Sequence, residues 1–388
     1  MADTAAVPSL NEFKPEAWRG APGGYRVGQT RTGAWWWVDP EQRPFFGCGV
    51  ERVRTVGASG VQSLLLQVQE WRFNLLAADA DPAFHGRGVP HLISLELRRS
   101  AENPIRVGGA NLPDVFDPRW SARCVERVAA INSGRGLAGY VSDLELRWAQ
   151  PPADGSTPTR PSLLQLCLAL DARFAAYHAA WEFALAPYGG ELGALARAWE
   201  VSLPNKETLR QLTIDEQPLG TDGYLRDQDR FTREFAQRYF RAVAEAVRQA
   251  DPGRLYLGAP VAAGENAEVR RAAAAHAHVL MTDAPPAESA GPVFVTGFNW
   301  DAVVDDPPPG ASAFEHRIQQ GRQQLEALAT HPAVIGYSWR EHVQGDRLEE
   351  APFARGLLYD DGSVAHEHVQ PLAAFNAHAA ALRAERLC

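Results

Sequence analysis

Two carboxylates stand two residues apart in the run GYVSDLELRW, residues 139–148: Asp143 and Glu145. If this run is a strand, alternation turns both side chains to one face. Like charges at that spacing repel, so one carboxyl would keep its proton to higher pH and serve as a general acid. The competing reading is an ordinary ion pair between Glu145 and an arginine at the rim. Glu96, Asp283 and Glu341 also fall at the ends of apolar runs, as do Gly297 and Trp339. His366 and His368 flank Glu367, but no further ligands cluster with them in the sequence, so no metal is expected. Asp360–Asp361–Gly362 reads as a hairpin turn, because the further oxygen ligands of a calcium loop are missing. The four cysteines, Cys48, Cys124, Cys167 and Cys388, form no CxxC pair, which argues against both a zinc site and a disulfide framework. No glycine-rich turn follows a strand, and no cofactor is expected.

Groups at strand ends need a scaffold that brings those ends together. Apolar, β-rich runs alternate with helical patterns along the chain, the mark of an α/β protein. Eight runs read as strands: residues 46–53, 71–77, 91–97, 137–146, 254–261, 277–283, 292–298 and 333–339. Helical stretches between them include DPRWSARCVERVAAI, DRFTREFAQRYFRAVAEAVRQA and FEHRIQQGRQQLEALA. Asp251–Pro252–Gly253 ends the second of these. Eight such strands fit a single (β/α)₈ TIM barrel, whose chemistry sits at the C-terminal strand ends. A doubly wound open sheet is the competing architecture. Ahead of the first strand, AWWWV and RPFFG flank the turn Asp39–Gln42 as an N-terminal β-hairpin. Alternate rings of Trp35, Trp36 and Trp37 then face opposite sides, with packing against the barrel bottom expected. Residues 1–30 read as an N-terminal extension and 31–388 as the barrel domain. Residues 150–253 form a helical insertion between the fourth and fifth strands. It opens with a Pro-rich surface loop, and Asp305–Pro309 reads as a rigid loop beyond the seventh strand.

Of the 388 residues, 45% are hydrophobic and 22% charged, enough to bury a core. The net charge of −9 argues against nucleic acid or an anionic membrane surface as partner. No run of about 18 apolar residues could span a membrane. The N-terminus shows neither the basic start nor the apolar stretch of a secretory signal, so a soluble, cytoplasmic protein is expected. The 11 Trp suit stacking on a saccharide and core packing equally.

Several segments resemble, in order, β-agarase-like glycoside hydrolases of clan A. TGAWWWVDPEQRPFFGCGVERV is similar to that family's opening, and LPDVFDPRWSARC to a helix entry. GYVSDLELRW resembles its fourth strand, ELGALARAWE a following helix, and DPGRLYLGAPVA and HPAVIGYSW later strands. The likeness runs from Thr32 to Tyr359. It implies a (β/α)₈ barrel that hydrolyses β-glycosidic bonds with retention, and a saccharide as ligand. It places Glu145 at the general acid/base position and Trp339 at the ring that floors the sugar subsite. Apart from the resemblance, Asp143, Trp148, Trp300 and Glu96 stand close enough to strand ends to line the cleft.

Two positions depart from the family pattern. Leu144 stands where an Asn contacts the sugar 2-hydroxyl, and Gly297 stands where the nucleophilic Glu is expected. A retaining mechanism needs a second carboxylate about 5–5.5 Å from the acid/base, which glycine cannot supply. Three readings follow. Asp283 or Glu341 supplies a displaced carboxylate, with an inverting reaction needing about 6.5–9.5 Å from Glu145. Alternatively the protein binds a saccharide without cleaving it, or the barrel is purely structural.

Overall fold

The computed structural model describes residues 7–57, 59–131, 134, 136–149, 158–285, 289–300, 312–344 and 356–388. The loop 305–309 and most of the Pro-rich segment after Gln150 lie outside them. Eight parallel strands form the central sheet: β1 (Gly47–Val50), β2 (Leu75–Leu76), β3 (His91–Ser94), β4 (Leu137–Val141), β5 (Leu255–Tyr256), β6 (Leu280–Thr282), β7 (Val293–Phe298) and β8 (Val334–Trp339). Each falls within one of the eight runs picked out by composition. Neighbours follow chain order, with β1 beside β8. The end strands meet where His278 N–H donates to the Tyr256 carbonyl at 2.7 Å and Val261 N–H to that of Met281 at 3.0 Å. The sheet curls as in a TIM-like barrel.

These strands are apolar on both faces because both are buried. Leu75, Leu92, Ala138, Leu255, Met281, Phe294 and Ile335 pack together in the interior. On the outer face, Cys48, Val50 and Val293 pack with residues of α5 (Ala313–Thr330) and α6 (His366–Leu387). Leu137 and Tyr140 pack with α2 (Trp120–Ala129) and α3 (Asp222–Ala250), while α1 (Val61–Glu70) and α4 (Ala267–His276) complete the labelled helices. Thr221 caps α3 by accepting the Tyr224 N–H. Helices Leu163–Leu168, Ala175–Leu185, Leu192–Ala198 and Lys206–Ile214 precede α3. Their Leu164, Trp181 and Leu195 share one core with Phe231 and Phe235 of α3.

Trp35–Val38 pairs antiparallel with Pro44–Phe45 on one side and with Arg26–Gln29 on the other. The strand Arg26–Gln29 lies in the segment read from sequence as a loose extension. Trp35 and Trp37 enter the interior cluster, and Trp36 packs on the opposite side with Phe13 and Ala384. No described helix is long and apolar enough to cross a membrane.

β1 and β8 approach closely in regular register, Gly47 opposite Gly336. A Cβ on Gly336 in β8 would lie 2.3 Å from the Gly47 carbonyl oxygen of β1. Since backbone must move, Gly336→Ala is expected to cost about 2 kcal/mol. Thermal unfolding checks this; an unchanged midpoint would show that the β1–β8 seam yields.

Candidate active site

β4 ends at Val141, so the strand alternation that would align Asp143 and Glu145 does not reach them. This corrects the sequence expectation of a shared face. Asp143 turns back beneath the surface and is 2% exposed. Its Oδ1 accepts the Arg98 N–H at 2.8 Å and its Oδ2 the Tyr239 hydroxyl of α3 at 2.5 Å. Burial pushes this carboxyl up to about 7, against the pull of the Tyr239 and Arg98 hydrogen bonds. Leu144 packs against the barrel interior. The Glu145 side chain is 59% exposed, with Arg98 Nη2 at 3.7 Å from its Oε2, an ion pair at the rim. Its backbone carbonyl accepts Asn111 Nδ2–H at 3.0 Å.

The remaining candidate carboxylates each have a partner other than Glu145. Asp283 is exposed, and its Oδ1 accepts the Ala263 N–H at 2.7 Å. Glu341 forms an ion pair with Arg52. Glu96, in the left-handed region at φ 53, pairs with Arg99 at 2.7 Å. It lines a groove of about 730 Å³ with Asp79, His85 and Ser94, beside the ends of β2 and β3. Cavities of about 770 and 950 Å³ lie beneath the helical insertion and against the N-terminal strands, away from these groups.

The rings expected to face a sugar are core residues. Trp339 and Trp300 are 0% and 1% exposed and belong to the outer layer with Leu325 and Phe375. Their ring centroids are 5.2 Å apart, with Phe298 against both. Trp148 is 2% exposed and stacks on Phe240. The expectation that these three indoles line an open cleft is therefore corrected: their faces are taken by other rings. His368 is likewise buried, in α6 near Trp339. Among the described residues no group of His, Cys, Asp or Glu could hold a metal ion.

A carboxylate not singled out from the sequence does sit in the mouth. Glu51 follows β1 directly, on the side of Gly47 and Gly49. Gly47 faces Trp37 and Phe294 of the interior, whereas Cys48 and Val50 pack outward. Its Oε1 accepts the Gly297 N–H of β7 at 2.9 Å and the Ser338 hydroxyl of β8. Burial pushes Glu51 up to about 7, while Ser338, Gly297, Arg52 and Arg340 pull it down. Arg52, itself disfavoured by burial, is held above its ordinary value by Glu341, Glu51 and Asp79. Gly297 has φ +71, and a Cβ there would meet no described residue within 4 Å. The strand-end rule that selected Glu96 and Asp283 selects Glu51 as well once the first strand is closed at Val50.

The eight-strand frame and the position of these ends can be set beside known proteins. No family model and no curated protein matches the chain. Solved structures do. An exo-β-agarase superposes with a TM-score of 0.70 at 17% identity, over 94% of this chain and 66% of that one. The agarase AgWH50C gives 0.68 at 18%, over 97% and 68%. The fold is that of the β-agarase-like glycoside hydrolases. A β-galactosidase from the psychrophilic Marinomonas ef1 shares it more distantly, with a TM-score of 0.51 at 12% identity over 86% and 59%. The chain spans about two thirds of the exo-β-agarase's length. In barrels the strand ends that carry Glu51, Asp143 and Gly297 form the face on which chemistry is built.

Proposed function

We propose that this chain is a glycoside-hydrolase-like protein acting on a β-linked oligosaccharide or glycoconjugate, with Glu145 as general acid/base. The observation that carries this reading is a solvent-reachable carboxylate just beyond β4, in a chain of which 94% superposes on an exo-β-agarase. The eight-stranded sheet is read as one closed (β/α)₈ barrel, with residues 150–253 as an insertion at its mouth. A protein that binds saccharide without cleaving it is the second reading, favoured by Gly297 and Leu144 at the two altered positions. The agarase and β-galactosidase neighbours recommend a panel headed by aryl β-galactosides and agaro-oligosaccharides. Glu145→Gln is expected to lower turnover at least about 100-fold, the low end for loss of a positioned general acid. Equal rates for parent and variant would sink the role of Glu145. Calorimetric binding with no product after long incubation would establish the silent binder instead.

A further inference from the structure

We propose that Glu51 is the second catalytic carboxyl, replacing from β1 the nucleophile that Gly297 cannot provide from β7. This rests on the hydrolase reading above. Three observations support the assignment. Its Oε1 is 2.9 Å from the Gly297 nitrogen, so a carboxylate lies directly against the backbone where a seventh-strand carboxylate would be rooted. Among the described residues none comes within 4 Å of a Cβ placed on Gly297, so none of them fills the space beside that backbone. Both hydrogen bonds to Glu51, from Gly297 and Ser338, go to Oε1; Oε2 accepts none among the described residues. One oxygen is thus anchored and the other is available to react, the arrangement a positioned nucleophile requires. Burial raises this carboxyl to about 7, and the charges of Arg52 and Arg340 oppose that rise. Asp283 and Glu341 lack this geometry, because the first serves a backbone amide and the second an arginine.

The step balances with these groups alone. Glu51 Oε2 attacks the anomeric carbon while the bond to the leaving oxygen breaks, and that oxygen keeps the electron pair and takes the Glu145 proton. Water then gives a proton to Glu145 and attacks the same carbon, releasing Glu51 as carboxylate.

The test compares parent, Glu145→Gln and Glu51→Gln on 4-nitrophenyl β-D-galactopyranoside and the rest of the panel. Gln keeps the size of Glu51 and an oxygen for Ser338 and Gly297. We expect Glu51→Gln to lose at least about 100-fold in kcat with its unfolding midpoint retained. Full activity in Glu51→Gln beside an inactive Glu145→Gln overturns this inference and leaves the hydrolase reading standing. No hydrolysis by the parent on any glycoside overturns both. A second measurement needs no variant. The parent is incubated with 2,4-dinitrophenyl 2-deoxy-2-fluoro-β-D-galactopyranoside, digested and mapped by mass spectrometry. A glycosyl ester on Glu51 supports the assignment; an ester on another residue, or none, overturns it.

Discussion

Replacing Arg383 by Met is expected to destabilise the protein by about 5 kcal/mol, since each buried carbonyl left without its donor costs about 1–3 kcal/mol. Arg383, in α6, has no exposed surface. Its Nη1 donates to the carbonyls of Ala329 and His331 at 2.7 and 2.9 Å, and its Nη2 to those of Trp35 and Pro332 at 2.6 and 2.9 Å. The first two acceptors lie at the C-terminal end of α5, where a cation also complements the helix dipole. The guanidinium rests over the Trp36 ring at 5.0 Å. Burial lowers Arg383 to about 9, so it remains charged at neutral pH. One side chain thereby ties α5, α6, the β8 entry and the Trp run. Met would fill much of the space but donate nothing, leaving the Ala329 and Trp35 carbonyls short of a partner. Urea unfolding measures the loss. Arg383→Lys should fall between, because one ammonium cannot span four carbonyls. A loss under about 1 kcal/mol for Arg383→Met would show that water replaces the guanidinium.

The curled eight-stranded sheet was legible because most of its strands are short apolar runs buried on both faces, and such runs stand out between amphipathic helices. Side-chain direction was less legible, since bulges reset alternation. In β8, Ile335 faces the interior while Tyr337 and Trp339 pack in the outer layer, around a shift at Gly336. Strict alternation would put all three on one face, and no residue type announces the extra step. The same uncertainty hid the end of β4: LAGYVSDLEL reads as one strand, yet pairing stops at Val141. Family likeness in the sequence puts Gly297 where a carboxylate is expected. Only the tertiary contact reveals that Glu51, 246 positions earlier, reaches its backbone. In sequence Glu51–Arg52 resembles any solvated charge pair, and nothing local marks it as turned inward.

Glu51 and Asp143 also predict a pH effect that the histidines partly mask in the parent. Both carboxyls stand near 7 in the folded chain, against ordinary values of 4.5 and 3.8. Raised acids bind more protons folded than unfolded, so their stabilisation is present below about pH 4 and lost as pH rises through 7. His91 and His342 act oppositely: burial lowers both from 6.5 to about 4, so their contribution stands above 6.5 and is lost on acidification. Over much of the same window the two pairs offset each other, and the parent's profile alone would be uninformative. The difference between proteins isolates the carboxyls. Glu51→Gln combined with Asp143→Asn keeps neutral groups of similar shape that cannot ionise. Because a tenfold change in proton affinity is worth about 1.4 kcal/mol, the double variant should gain several kcal/mol relative to the parent between pH 4.5 and 8. Paired urea titrations at each pH give that difference directly. Parallel stability curves would mean that water reaches both carboxyls and holds them at ordinary values, removing the desolvated environment ascribed to this mouth. A gain confined to the Asp143→Asn single variant would place Glu51 in bulk-like solvent and restrict the dry environment to the α3 side of the barrel.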